Sequence, residues 1–168
     1  MTDQIRVVIV PCSGIGKTYG TVSREAAYAV TEDLRLADTQ LVALSLLVLG
    51  DEAARQAVTE SPAITIDGCK LACATKMVKE NGGTVAKEYA VLDVYRRYRQ
   101  YKPQGIAELN KGGQQLAHAL AEEIAEVVDT LAAEGGSMRS LAVGHAAELL
   151  GMGAQPAGGN ECGGEPHG

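Results

Sequence analysis

Cysteine is the residue type best suited to chemistry in this sequence, and three of its four cysteines follow apolar runs. Cys12 directly follows the first such run, Cys69 follows a later one after Asp67-Gly68, and Cys73 lies four residues further on. The carboxyl ends of parallel strands meet at one edge of an open sheet, where ligands bind. Residues i and i+4 share a helix face, so we expect Cys73 to face the same way as Cys69. The spacing therefore predicts that three thiols converge in one crevice.

A group of thiols of this kind is suited to a soft metal ion. Thiolates hold Zn²⁺ at about 2.3 Å and also hold iron–sulfur clusters. A helix beginning beneath Cys69 would place positive partial charge near the thiols and favour the thiolate form, and Lys17 could add to this effect. Asp67 is either the cap of that helix or a hydrogen-bond acceptor beside the site. The alternative is that the cysteines only fill space, because free cysteines are often buried.

The elements that would position these cysteines alternate along the first 90 or so residues. Runs rich in β-branched residues predict strands, and apolar residues at three- and four-residue spacing predict helices. The predicted strands cover residues 5–10, 41–48, 63–66 and 84–92. The predicted helices cover residues 19–34, 51–59 and 69–80. Alternation of this kind is typical of an α/β domain with a parallel sheet.

The predicted fold is an open, mostly parallel, Rossmann-like sheet of about four strands with helices on both faces. Extra C-terminal helices follow, a long one marked by apolar residues from Leu116 to Leu131 and a shorter one over residues 141–150. Residues 1–153 are expected to form a single α/β domain that binds the metal. Residues 154–168 are rich in glycine and are expected to form a flexible tail that carries Cys162.

Two segments resemble a known protein family. They are residues 11–14, Pro-Cys-Ser-Gly, and residues 66–74, Ile-Asp-Gly-Cys-Lys-Leu-Ala-Cys-Ala. They are similar to the DGC-domain family, named for its Asp-Gly-Cys motif, and the resemblance covers roughly residues 5–92. It implies a small domain that binds zinc through four cysteines and whose activity is poorly defined. The fourth cysteine has no obvious match: either Cys162 in the tail completes the site, or one position stays open. An iron–sulfur cluster or a thiol-based sulfur carrier or redox protein is the alternative.

The loop around Cys12 also allows anion chemistry. Residues 11–18 come within one residue of a phosphate-binding loop, with Pro11 where its first glycine belongs. The backbone N–H groups of residues 13–17 could form an anion-binding nest, in which Ser13, Gly14, Gly16 and Lys17 would take part. A second alternative is a phosphate or oxyanion enzyme with Cys12 as nucleophile. Such enzymes close the loop with an arginine, and the first one after this loop is Arg24.

Composition excludes several classes of partner. The chain has 168 residues, 46% of them hydrophobic, a net charge of −6, no Phe and no Trp. An acidic chain poor in aromatic residues is a weak candidate for nucleic acid or anionic membrane. The apolar run at residues 41–49 is too short to span a membrane, and no secretory signal opens the chain, so we expect a cytoplasmic protein. The basic, Tyr-rich residues 95–102 could contact a redox or sulfur-relay protein.

Overall fold

A computed structural model describes residues 6–14 and 16–149, with residues 135–149 described by their backbone alone. The chain divides into two compact units, Met1–Gly135 and Gly136–Gly168. The first unit contains the whole sheet and all three cysteines that the structure describes. In the second unit, the described backbone is helical.

The sheet has four strands, all parallel, in the order β2-β1-β3-β4. Their bounds are β1 (Val7–Pro11), β2 (Thr39–Leu41), β3 (Ala63–Asp67) and β4 (Val85–Ala90). The two central strands, β1 and β3, are buried along their whole length. The predicted α/β fold with an open, parallel sheet is confirmed, and the cysteines that follow β1 and β3 lie at the carboxyl ends of neighbouring strands.

Helices cover both faces of this sheet. Their bounds are α1 (Thr18–Tyr28), continued as a π-helix (Ala29–Leu34), α2 (Leu44–Leu49), α3 (Glu52–Glu60), α4 (Cys73–Glu80), α5 (Val91–Arg97), a 3₁₀ turn (Arg99–Tyr101) and α6 (Lys111–Leu149). Successive side chains of a strand point to opposite faces. Accordingly, Val7 and Ile9 pack in a cluster with α1, α5 and α6, whereas Val8 and Val10 pack with α2, α3 and α4.

The predicted strand over residues 41–48 is wrong. Strand β2 ends at Leu41, and Leu44–Leu49 forms helix α2. A continuous apolar run does not distinguish a buried strand from a short helix. Helix α2 buries Leu44 and Leu47, three residues apart, and leaves Leu49 exposed. Gly50, in the left-handed region at φ 74°, ends the helix.

Other boundaries differ from the predictions as well. The helix expected to begin at Cys69 begins at Cys73, because residues 69–72 form a turn. Strand β4 ends at Ala90, where α5 takes over, and the two predicted C-terminal helices are one continuous helix, α6. The predicted tail and Cys162 lie outside the described residues, and the proposed domain end at residue 153 stays a prediction.

Among the helices of the described residues, none combines the length and the apolar character needed to cross a membrane.

Candidate cysteine site

Cys12 is attached directly to the central pair of strands. Pro11 is in register with Ile66 of β3, and the Cys12 N–H donates to the Ile66 carbonyl at 2.8 Å. This bond continues the ladder by one residue and places Cys12 beside the end of β3. Only 9% of Cys12 is exposed. The side chain is therefore held at the sheet edge in a largely desolvated position.

Asp67 joins the end of β3 to the first turn of α4. Its carboxylate accepts from Ala74 N at 2.8 Å, from Thr75 N at 3.2 Å and from the Thr75 hydroxyl at 2.9 Å. The Thr75 hydroxyl also lies 2.6 Å from that of Thr65. Asp67 is only 4% exposed, so these bonds are shielded from water. The carboxylate satisfies free N–H groups of the helix and holds the neighbouring Cys73 above the strand end.

Cys69 lies in the turn between β3 and α4 and not on the helix. The prediction that Cys69 and Cys73 share a helix face is therefore wrong, because Cys69 does not lie on a helix. The turn is closed by a hydrogen bond from Ala72 N to the Cys69 carbonyl at 3.2 Å. Ala72 has φ 51°, a left-handed conformation that costs a residue with a Cβ about 1–2 kcal/mol. Leu71, in the same turn, is 64% exposed. The turn thus presents Cys69, which is partly buried, on strained backbone at the surface.

The other two described thiols act electrostatically on Cys73. Burial raises the pKa of the Cys73 thiol, and the neighbouring groups Cys12, Asp67 and Cys69 raise it further, while Lys76 lowers it. These influences reach Cys73 because residues from two distant loops have come close to it. Asp67 places negative charge against the helix end, so the expected preference for thiolate does not extend to Cys73 without a bound cation.

Three glycines bring the two cysteine loops together. A methyl group on Gly20 of α1 would overlap with the backbone of Gly14, and one on Gly68 would lie 2.9 Å from Gly20 N. Close backbone approach of this kind is possible only without a Cβ. Gly14 follows Cys12 by two residues, and Gly68 precedes Cys69. Both loops are therefore packed against the same turn of α1.

Ser23 of α1 stabilises the same junction from below. Its hydroxyl donates to the Ile66 carbonyl at 2.6 Å and accepts from Cys12 N at 3.2 Å. The side chain is fully buried. One hydroxyl thus bridges the ends of β1 and β3 at the residues that lead into the two loops.

The expected anion loop has a different set of contacts. Ser13 and Lys17 are exposed, Gly14 and Gly16 have positive φ of 56° and 75°, and Ile15 lies outside the described residues. Arg24 donates to the Ser13 carbonyl and, at 3.1 Å, to the Thr21 hydroxyl. The arginine that appeared too distant in sequence therefore does reach this loop, where it supports the backbone.

Sequence reasoning missed the structural roles of several residues that build this edge, namely Gly20, Ser23, Arg24 and Thr75. A signal existed for Ser23, because it falls on the apolar face of α1 between Tyr19 and Ala26, where a polar residue needs a buried partner. Gly20 was also detectable, since glycine disfavours a helix interior unless something packs closely against it.

A second polar region lies beside edge strand β4. We call it the charged groove; its lining residues are Lys87, Glu88, Tyr89, Ala90, Asp93, Val94, Arg97 and Glu123. Its charges are paired on the surface, as in the bond from Arg97 to Glu123 at 2.8 Å. Glu123 also accepts from the Tyr98 hydroxyl at 3.2 Å, which raises the pKa of Tyr98. The basic, Tyr-rich segment is thus at least partly engaged within the molecule.

The donor set at the cysteine edge, meaning Cys12, Cys69, Cys73 and Asp67, fits a soft metal by its chemistry. Asp67 is occupied by α4, so the three sulfurs are the candidate ligands. In the part of the chain that the structure describes, no three His, Cys, Asp or Glu side chains already have the arrangement of a metal site. Binding of a metal ion by all three sulfurs would therefore require these side chains to shift from their present arrangement.

Both cysteine motifs lie within a region that matches a known protein family. No match was found among curated proteins or among solved structures. A family model described as DGC domain matches residues 8–130. This range begins within β1 and covers most of the first unit, with Cys12, Cys69 and Cys73, and it stops before Cys162. The match covers well over half of the chain, which therefore belongs to the DGC-domain family.

Proposed function

We propose that this protein binds a zinc ion through the thiolates of Cys12, Cys69 and Cys73. The observation that carries the proposal is the convergence of these cysteines from two loops held against one helix, so that Cys12 and Cys69 both act on Cys73 and raise its pKa. Three thiolates close together repel one another, and a divalent cation replaces that repulsion with attraction. Thiolate sulfur is also a preferred ligand of zinc.

The fourth coordination position is supplied by Cys162 or by an exchangeable ligand. Membership of the family supports a ligand role for the three cysteines inside the matched region, whereas Cys162 lies beyond that region. A site with three protein ligands and one exchangeable position is typical of metal centres that act on or transfer a group, whereas a closed site of four is typical of structural zinc.

Metal analysis of protein purified without oxygen tests the proposal. We expect about one zinc per chain and no visible colour, since Zn²⁺ has a filled d shell. Brown protein with iron and sulfide would show a cluster instead. Reduced protein that binds neither metal, and whose thermal stability zinc does not raise, would contradict metal binding altogether.

Single substitutions identify the ligands. Cys12→Ser, Cys69→Ser and Cys73→Ser should each weaken zinc binding by more than about 100-fold, because even residues behind the ligands are worth about 10–100-fold. His118→Ala is the matched control, since His118 is exposed and lies 3.5 Å from Glu122 on its own helix. Cys162→Ser tests the fourth coordination position. Weaker zinc binding in this variant would identify Cys162 as a ligand, and unchanged binding would indicate an exchangeable ligand.

A further inference from the structure

Cys12 lies on the side of the sheet that α4 covers. Val8 and Val10 both pack in the cluster that contains α4 residues, and the next residue of that parity is Cys12. The hydrogen bond from Cys12 N to the Ile66 carbonyl shows that the strand geometry continues to this position. Cys73 packs against the same cluster. The two thiols therefore occupy one face of the sheet.

Both cysteines are attached close to Asp67, one on the neighbouring strand and one on the helix that its carboxylate binds. The register that pairs Pro11 with Ile66 puts Cys12 next to Asp67 on the neighbouring strand. The Asp67 carboxylate binds the N–H groups of Ala74 and Thr75, directly after Cys73. Cys69, in contrast, belongs to the turn beyond the strand end, next to exposed Lys70 and Leu71. Cys12 and Cys73 are thus the two thiols attached directly to elements of the core, strand β1 and helix α4.

We propose that Cys73 is an oxidation site and that Cys12 is its resolving thiol, so that a hydroperoxide converts the pair into a Cys12–Cys73 disulfide. Cys73 is partly exposed, whereas Cys12 is only 9% exposed, so the oxidant reaches Cys73 first. The disulfide would remove two of the three proposed zinc ligands and so control zinc binding. This regulatory role rests on the proposed function.

The chemistry balances with hydrogen peroxide as oxidant. The Cys73 thiol first loses its proton to solvent, and its sulfur then attacks one peroxide oxygen; the O–O bond breaks, and the hydroxide that leaves takes up a proton as water, giving a sulfenic acid. The Cys12 thiolate then attacks the Cys73 sulfur, the S–O bond breaks, and a second water leaves. Two thiols lose two electrons and two protons in total, and one peroxide becomes two waters.

Peptide mapping tests the pairing directly. Trypsin cuts after Lys70, so the three cysteines fall on separate peptides, residues 7–17, 56–70 and 71–76. Full-length, metal-free, reduced protein is treated with hydrogen peroxide, its remaining thiols are blocked, and it is digested without reductant. We expect the 7–17 and 71–76 peptides to be linked as the main product. Dominant linkage of any other pair, or no linkage, would overturn the proposal.

Variants and metal content separate this proposal from the zinc proposal. Cys69→Ser and Cys162→Ser should keep the linked product, whereas Cys12→Ser and Cys73→Ser should lose it; circular dichroism checks that each folds. Zinc-loaded protein treated with hydrogen peroxide should release its zinc as the Cys12–Cys73 disulfide forms. A Cys12–Cys73 linkage in a protein that never binds zinc would support the oxidation site and refute the metal site. Zinc binding without this linkage would support the metal site and refute the oxidation site.

Discussion

The cysteine edge and the charged groove both gather polar groups near the carboxyl ends of strands, but different forces hold them. In the groove, charges pair at the surface: its residue Glu88 pairs with Lys79 of α4 at 2.6 Å, and both side chains are more than half exposed. At the cysteine edge, the polar contacts are buried: Ser23 is fully buried and Asp67 is 4% exposed. Exposed pairs are worth about 0–1 kcal/mol, whereas a buried group that loses its partner costs about 1–3 kcal/mol. The edge is therefore a rigid frame, and the groove is a solvated surface.

The largest effect should come from the glycines of this frame. In an ordinary helix, Gly→Ala stabilises by about 1 kcal/mol. Gly20→Ala should instead destabilise by about 3 kcal/mol, because its methyl group overlaps with the Gly14 backbone and forces the loops apart. Urea unfolding measures the change.

Gly50→Ala is the matched control for this substitution. Gly50 ends helix α2 with φ 74°, and nothing lies within 4 Å of the position of an added methyl group. Its cost should be only that of the left-handed conformation, about 1 kcal/mol. A stabilising effect of Gly20→Ala would contradict the close packing of the two loops.

Asp67→Asn should have the next largest effect. The amide keeps one acceptor oxygen, while its NH₂ group faces donors from Thr75, so we expect a loss of about 2–3 kcal/mol in the free energy of unfolding. Asp51→Asn is the control, because Asp51 caps α3 through Ala54 N at 2.9 Å and asparagine caps equally well. Equal losses of unfolding free energy in the two variants would show that the buried Asp67 carboxylate stabilises the protein no more than an ordinary helix cap does.

Ser23→Ala tests the bridge beneath the two loops. We expect a loss of about 1–2 kcal/mol, together with weaker zinc binding, because the hydroxyl connects the backbones of Cys12 and Ile66. Thr31→Val removes another buried hydroxyl, one that bonds only within its own helix to Ala27. It should cost less than about 1 kcal/mol and leave zinc affinity unchanged. Isothermal titration with zinc measures this difference; unchanged affinity in Ser23→Ala would show that the bridge does not position the ligands.

The smallest effect should come from the charged groove. Glu123→Gln should cost at most about 1 kcal/mol, because the pair with Arg97 is partly exposed. The variant should also lower the pKa of Tyr98 toward its ordinary value, because the hydrogen bond to Glu123 is the main cause of its raised pKa. A raised folded-state pKa adds stability below the unfolded value, near 10, and that stability is lost as the pH rises through the folded value. The variant should therefore lose less stability at alkaline pH than the wild type.

Resonances of the tyrosine rings, followed by NMR through a pH titration, measure the Tyr98 shift. Glu122→Gln, one residue earlier on α6, is the control: Glu122 is exposed and paired with His118, so its loss should leave Tyr98 unchanged. A large loss of stability in Glu123→Gln would show that the groove is as tightly organised as the cysteine edge.

The fold was largely predictable because local patterns agreed with the tertiary structure. Strands β1 and β3 are buried on both faces, and their continuous apolar runs identify them without further information. The apolar run over residues 41–48 misled, because its helix is decided by which side chains the sheet can bury and not by hydropathy. The start of α4 was misplaced because Asp67 caps from outside the helix, across a turn that no local motif indicates.

The sequence by itself determined that three cysteines follow two apolar strands, and hence that they lie at one sheet edge, because parallel strands share the direction of their carboxyl ends. The tertiary structure alone decided how they meet. Cys69 lies on a turn with strained backbone, Cys12 and Cys73 are attached close to the buried Asp67, and Gly14, Gly20 and Gly68 allow the loops to touch. These features depend on atoms far apart in the chain, whose contact no local pattern encodes.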